Sequence, residues 1–198
     1  MEYEIMYVTI EGIDTAGKST QIEALRKVFI DAIFTKEPGG TDVGQTIRSM
    51  VLNGQMESKH AEMFMFLADR AEHTHKVIIP NIDQLIISDR SCVSGVAYAT
   101  VQNVCDTNTL VQLNRLATDN HLPHHVFILR LTPEELTYRL SQKEHDAIEA
   151  RGIDYLLSIQ DALIASSHSL EIVTHVIDAS QSIDTITLEI TNLIKGAL

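Results

Sequence analysis

Apolar runs of strand length alternate along this chain with longer stretches whose apolar positions recur every three or four residues. Ile5 to Ile10 reads as a first buried strand. In Ser19 to Ile30 the side chains Ile22, Leu25 and Phe29 share one face, which predicts a helix. Ile33 to Lys36 reads as a short second strand, punctuated by Pro38-Gly39-Gly40. Val43 to Leu52 and Ala61 to Val77 follow as helices. Gln84 to Ser88 is a third strand, near-continuously apolar, as in a parallel sheet covered on both faces. After two helical stretches, His125 to Leu131 gives a fourth strand. Thr132 then stands as N-cap, Pro133 at the first helical position, and Glu134 and Glu135 in the first turn. Ile172 to Ile177 is a fifth strand and Ile183 to Ile194 a closing helix. The alternation predicts an α/β fold in three layers, a five-stranded parallel sheet with right-handed crossovers. Ligands in such sheets bind at the carboxyl ends of the strands.

Composition narrows the partners. A chain of 198 residues with no internal repeat and no low-complexity linker predicts a single domain over 1–198. A formal net charge of −12 argues against nucleic acid as a partner, because a duplex-binding surface needs many cations against phosphates. No apolar run approaches the ~20 residues of a membrane span. The start, Met1-Glu2-Tyr3-Glu4, carries acid where a signal peptide needs a basic region. Cys92 and Cys105 form no metal or redox spacing and read as reduced thiols, which predicts a cytoplasmic protein.

The clearest chemistry follows the first strand. Gly12-Ile13-Asp14-Thr15-Ala16-Gly17-Lys18-Ser19 matches the pattern G-x-x-x-x-G-K-[ST], between a predicted strand and a predicted helix. Glycines let backbone N–H groups wrap phosphates, and the helix N-terminus adds partial positive charge. In that role Lys18 bridges the β- and γ-phosphates of a nucleotide, and the Ser19 hydroxyl holds Mg²⁺. The pattern alone does not separate a kinase from a motor ATPase or a switch GTPase.

The remaining candidates are individually weaker. Asp89-Arg90 ends the third strand, where a carboxylate sits close to the metal; a local ion pair explains it equally well. Phe66 and Arg70 share a helical face, as a nucleobase reader would arrange a ring and a fork of donors; a core Phe beside a snorkelling Arg is the plainer alternative. Glu37-Pro38-Gly39-Gly40 and Arg48 read alone as a surface turn and a solvated cation. His121, His124 and His125 lack companion ligands at metal spacing. His73 and His75, two apart on a helix, do not face each other.

Taken together, these segments resemble thymidylate kinase. The segments are GIDTAGKST at 12–20, KEPGG at 36–40, GQTIRSMVL at 44–52, FLADRAEH at 66–73, ISDRS at 87–91 and SGVAY at 94–98. They occur in the family's order, and the likeness extends over essentially the whole chain. The resemblance implies a P-loop kinase fold with ATP and Mg²⁺ as cofactors, dTMP as acceptor and a homodimer paired through helices. It implies that the loop from Gly12 to Thr20 holds ATP and that Ser19 and Asp89 hold the metal. Phe66 would stack on thymine, Arg70 would bond its edge, and Arg48 and Arg90 would clamp the acceptor phosphate. Asp14 would lie near the acceptor sugar and phosphate. Tyr98 would pack beneath the deoxyribose, with Ser94, Glu37 and Pro38 among the acceptor contacts. The peptide before Pro38 would be cis. Arg139 would lie beside the adenine.

Two departures from the family stand out. The P-loop position that carries Arg in one branch is Thr15, and the lid position that carries Arg in the other is Ala147. A lid of roughly 139–152 should therefore supply its cation elsewhere, and Lys143 is the expected catalytic cation, with Arg151 as the alternative. Where relatives carry Thr or Asn near the base, this chain has Gly95. Rival readings are another small-molecule P-loop kinase, acting on a deoxynucleoside or another nucleotide, or a nucleotide-dependent switch or assembly ATPase. Paired Arg48 and Arg90 favour an acceptor that already carries phosphate.

Overall fold

The computed structural model describes residues 6–142 and 152–198. Five parallel strands form one sheet in the order β2-β3-β1-β4-β5. They are β1 (Met6–Glu11), β2 (Ile33–Lys36), β3 (Leu85–Asp89), β4 (His125–Arg130) and β5 (Val173–Asp178). The central strand β1 is buried at every position, which accounts for its mainly apolar run, with Thr9 and Glu11 buried alongside. Edge strand β5 is correspondingly open, with Val173 and Val176 exposed.

The helices are α1 (Lys18–Val28), α2 (Asp42–Leu52), α3 (Lys59–His73), α4 (Cys92–Val101), α5 (Thr107–Ala117), α6 (Pro133–Leu140), α7 (Ile153–Ser169) and α8 (Ile183–Ala197). Helix α1 lies on β1 and β3 and packs against α8, whereas α7 lies on β4 and β5 and packs against α4. Phe127, Ile10, Leu129, Leu156 and Leu163 are fully buried between these layers. Burying each such side chain stabilises the fold by about 1.5–3 kcal/mol. Thr132 caps α6, its hydroxyl accepting from the Glu135 N–H at 3.2 Å, and Pro133 occupies the first turn as expected. No helix among the described residues is long and apolar enough to cross a membrane.

Two elements depart from the pattern reading. The helix expected to run from Ala61 to Val77 ends as α3 at His73 and continues as a π-helical turn over Thr74–Ile78 and a 3₁₀ turn over Ile79–Asn81. The span holding α7 was assigned no element. Its buried face mixes Leu156, Ile159 and Leu163 with Gln160, Ser166 and Ser167, so the apolar period is blurred. Gln160 is inside because its amide closes the end of β4: it accepts from the Leu131 N–H at 2.8 Å and donates to the Leu131 carbonyl at 3.1 Å.

Topology then brings the sequence motifs together. The carboxyl ends of β1, β2 and β3 lead directly into Gly12, Glu37 and Arg90, and β1 pairs with β3 through Ile10 and Asp89. The Glu37 N–H donates to the Asp89 carbonyl at 2.9 Å, which ties the 37–40 loop to the end of β3. Lys143, Ala147 and Arg151 lie outside the described residues.

Candidate active site

The P-loop is shaped by backbone that most residues resist. Gly12 has φ +149°, and a Cβ there would meet the Leu129 carbonyl oxygen at 3.0 Å. Gly17, at φ +98°, precedes α1 and offers no side-chain cap. The first-turn N–H groups of α1 therefore have no side-chain acceptor, which makes this end suited to an anion. Thr15 is also left-handed, at φ 72°. Its carbonyl accepts from the Arg139 guanidinium at 3.0 Å, and Arg139 also donates to the Ala179 carbonyl at 2.7 Å. Arg139 thus braces the P-loop against the chain leaving β5.

Two cations converge on one carboxylate in this loop. Asp14 Oδ1 lies 2.9 Å from Arg90 and 3.5 Å from Lys18. Burial acts to raise the Asp14 carboxyl, but Arg90 and then Lys18 outweigh it and hold it below its ordinary range. Lys18 also donates to the Ile13 carbonyl at 2.9 Å. Burial, and next the Arg90 charge, depress the Lys18 ammonium to about 8. A phosphate entering here would meet a concentrated positive field.

Arg90 links the P-loop to helix α4. Its backbone is left-handed, at φ 71°, and its N–H donates to the Ile10 carbonyl at 3.0 Å. The guanidinium donates to the Gly12 carbonyl at 3.2 Å and to Ser94 Oγ at 3.1 Å, and lies 5.6 Å over the Tyr98 ring. A hard cation fits beside it. Asp89 Oδ1 is buried with no hydrogen-bond partner, and the exposed Ser19 hydroxyl is bonded to no protein group among the described residues. Among those residues, no cluster of three His, Cys, Asp or Glu side chains forms a metal site, so phosphate oxygens would complete this one.

Arg70 is held from three sides. It donates from Nε to Glu37 Oε2 at 2.8 Å, from one terminal nitrogen to Asn114 Oδ1 at 2.8 Å, and from the other to the Ser91 carbonyl at 3.1 Å. One N–H on each terminal nitrogen remains for a ligand. Phe66, one turn earlier on α3, is half-buried. Glu37 differs from an acceptor contact: its second oxygen lies 2.8 Å from His73 Nδ1, so both oxygens are committed inside the protein. The Glu37-Pro38 peptide is cis. Arg48 donates to the Pro38 carbonyl at 3.2 Å and makes no ion pair among the described residues, leaving its charge available to an anion.

Several residues of this site have roles that were not read from the sequence. His73, fully buried, bridges Glu37 and the Thr35 hydroxyl, 2.6 Å from its Nε2. Asp69 accepts from the Gly39 N–H at 2.9 Å and so positions the 37–40 loop. Glu11, Ser91 and Asn114 complete the buried network. Asp69 and His73 are four apart on α3, a spacing that could have flagged them. Asn114 carried no such signal. Three other histidines serve structure: His124 accepts from the Tyr7 N–H at 3.0 Å, and His125 lies 3.0 Å from His175.

Comparison with known proteins agrees with this geometry. A family model described as thymidylate kinase matches residues 10–190. The thymidylate kinase of Sulfurimonas denitrificans is 59% identical over 96% of this chain and 100% of its own length. That of Aliarcobacter butzleri is 54% identical over 96% and 99%. The crystal structure of thymidylate kinase from Ehrlichia chaffeensis superposes with a TM-score of 0.74 at 26% identity, covering 96% of this chain and 98% of that one. With a family model over residues 10–190 and relatives at more than half identity along nearly the whole chain, this chain belongs to the thymidylate kinase family.

Proposed function

We propose that this chain transfers the γ-phosphoryl group of ATP to dTMP, giving ADP and dTDP, through a donor half built on the P-loop and an acceptor half built on Arg48, Phe66, Arg70 and Arg90. The observation that carries the reading is the position of Arg90, which touches the P-loop at Gly12 and Asp14 while ending the strand that borders the acceptor loop. Phosphoryl transfer asks mainly for alignment and for neutralisation of charge. Lys18 and the loop amides hold the β- and γ-phosphates, and Arg139 stands beside the donor base. Arg48 and Arg90 hold the acceptor phosphate, Phe66 stacks on thymine, and the free N–H groups of Arg70 meet its edge. Tyr98, beneath Arg90, packs under the sugar, with Ser94 alongside. Ser19 and Asp89 hold Mg²⁺, which when bound offsets the charge of the donor phosphates. The acceptor phosphate is already ionised, so no general base is required.

A lid of roughly 139–152 closes over the donor and excludes water, with Lys143 as its cation. Met50, Phe64 and Leu116, exposed on the neighbouring helices α2, α3 and α5, support a helix-paired homodimer. The site of action is the cytoplasm, where ATP is available. A deoxynucleoside kinase would need a base to activate a hydroxyl, and none is assigned here. Steady-state turnover tests the reading. ATP consumption should depend on added dTMP and yield dTDP one for one. ATP turnover that is indifferent to dTMP would instead identify a switch or assembly ATPase.

A further inference from the structure

Glu11 ends β1 immediately before the P-loop and is 0% exposed. A carboxylate so placed needs partners for its charge, yet among the described residues no cation forms an ion pair with it directly. Its Oε1 accepts from Ser91 Oγ at 2.9 Å and from the Ser94 N–H at 3.3 Å, and its Oε2 accepts from Ser94 Oγ at 2.5 Å. The nearest strong positive charge is one hydroxyl away. Ser94 Oγ gives its only hydrogen to Glu11 and presents a lone pair to Arg90, 3.1 Å off. The carboxylate therefore decides which way the Ser94 hydroxyl points. Were residue 11 to present a donor, Ser94 Oγ would accept from both sides with its two lone pairs, and its own hydrogen would lose the acceptor that fixes the hydroxyl's orientation.

We propose that Glu11 is a positioning residue for phosphoryl transfer, acting through Ser94 to tether the Arg90 guanidinium to α4 as well as to the P-loop. The inference rests on Arg90 serving the acceptor phosphate. Arg90 has competing attachments, to Asp14 at 2.9 Å and to the Gly12 carbonyl at 3.2 Å, both on the P-loop itself. Ser94 is the anchor on the opposite side, on α4. Without a directed Ser94 hydroxyl, the guanidinium's fixed hydrogen bonds run to the P-loop alone, with only the Tyr98 ring against it from α4, and it follows the P-loop as nucleotide binds. A role confined to folding would weaken both substrates and lower stability without regard to Arg90. A positioning role is confined to steps that use Arg90.

The test is steady-state kinetics on Glu11→Gln in the natural background and in Arg90→Lys. The natural protein is measured first, since absence of dTMP turnover there would contradict the proposed function and not this inference. In the natural background Glu11→Gln should lower kcat/KM for dTMP roughly tenfold, with KM for ATP unchanged. In the Arg90→Lys background the same change should cost little more, because groups that act as a unit are not additive. Equal losses in both backgrounds, or a parallel rise in the ATP KM, would overturn the proposal. Should Glu11→Gln fail to fold, Ser94→Ala removes the bridge and leaves the Ser91 bond to Glu11 in place. It should give the same selective loss, and unchanged dTMP kinetics in Ser94→Ala would equally overturn it.

Discussion

Arg70 and Glu37 form an ion pair 2.8 Å long in which each side chain is only 4% exposed. A guanidinium on a helix surface samples many rotamers, and ordering it on ligand binding would cost side-chain entropy. Here the pair, with Asn114 and Ser91, orders it before any ligand arrives. The proposed base reader is thus preorganised, and its remaining N–H groups point where its partners leave room.

Breaking that pair should cost stability. Glu37→Gln leaves the buried Arg70 charge without its counter-ion, and removal of one partner of a buried pair destabilises by about 3–5 kcal/mol. Burial acts to raise the Glu37 carboxyl, but Arg70 and His73 outweigh it and hold it below the ordinary range. Its contribution is therefore in place above the ordinary carboxylate range and lost as pH falls through the lower folded value. Urea unfolding of Glu37→Gln near neutral pH measures this, and a loss well under 1 kcal/mol would contradict it.

Lys18 should give the donor side a signature in pH. Its ammonium titrates at about 8 in the free protein. As pH rises through that value the charge is lost, so kcat/KM for ATP should fall. The ATP phosphates hold the proton on in the complex, so kcat should stay level to higher pH. Lys18→Ala should remove this inflection and lower kcat by ~10² or more. An unchanged pH profile in Lys18→Ala would assign the inflection to another group.

Gly95 makes room for the base reader. A Cβ there would sit 2.7 Å from one terminal nitrogen of Arg70 and 3.1 Å from the other. Gly95 lies in α4, where Ala is the better helix former by about 1 kcal/mol. Any penalty in Gly95→Ala must therefore come from displacing Arg70 or its partner Asn114, whose Oδ1 would lie 3.1 Å from the added Cβ. The expected result is a weaker dTMP interaction by about 1–3 kcal/mol, the usual cost of overpacking, with KM for ATP unchanged. Unchanged dTMP kinetics would show that Arg70 can shift without consequence.

Thr15 and Ala147 leave the transferring phosphoryl group without the family's arginine. A substitute cation is expected in the lid, and Lys143→Ala should lower kcat at saturating substrates by ~10³ if it acts as an arginine finger would. A loss confined to Arg151→Ala would move the role there. No loss in either would leave Lys18, the loop amides and Mg²⁺ as sufficient.

The parts of this architecture legible in the sequence were those whose cause is local. The P-loop could be read because Gly12 and Gly17 adopt backbone that few residues accept. The strand order could not, because pairing of β1 with both β3 and β4 depends on crossovers. Phe66, Arg70 and Arg90 were visible as motifs. The roles of Glu11, His73 and Asn114 were not, because they lie in partners 36 to 83 residues away along the chain. Helix α7 was hidden because its buried Gln160 and Ser167 find partners at Leu131 and Thr174 only in the folded protein.

The central claim is that the acceptor is a thymine nucleotide, and a competition measures it directly. Equimolar dTMP, dCMP, dAMP and dGMP are mixed with limiting ATP and Mg²⁺, and the products are separated chromatographically. The account predicts dTDP in large excess over every other diphosphate, with one ADP formed per dTDP. Comparable yields of dCDP, dADP or dGDP, or ADP formed without any diphosphate product, would contradict it.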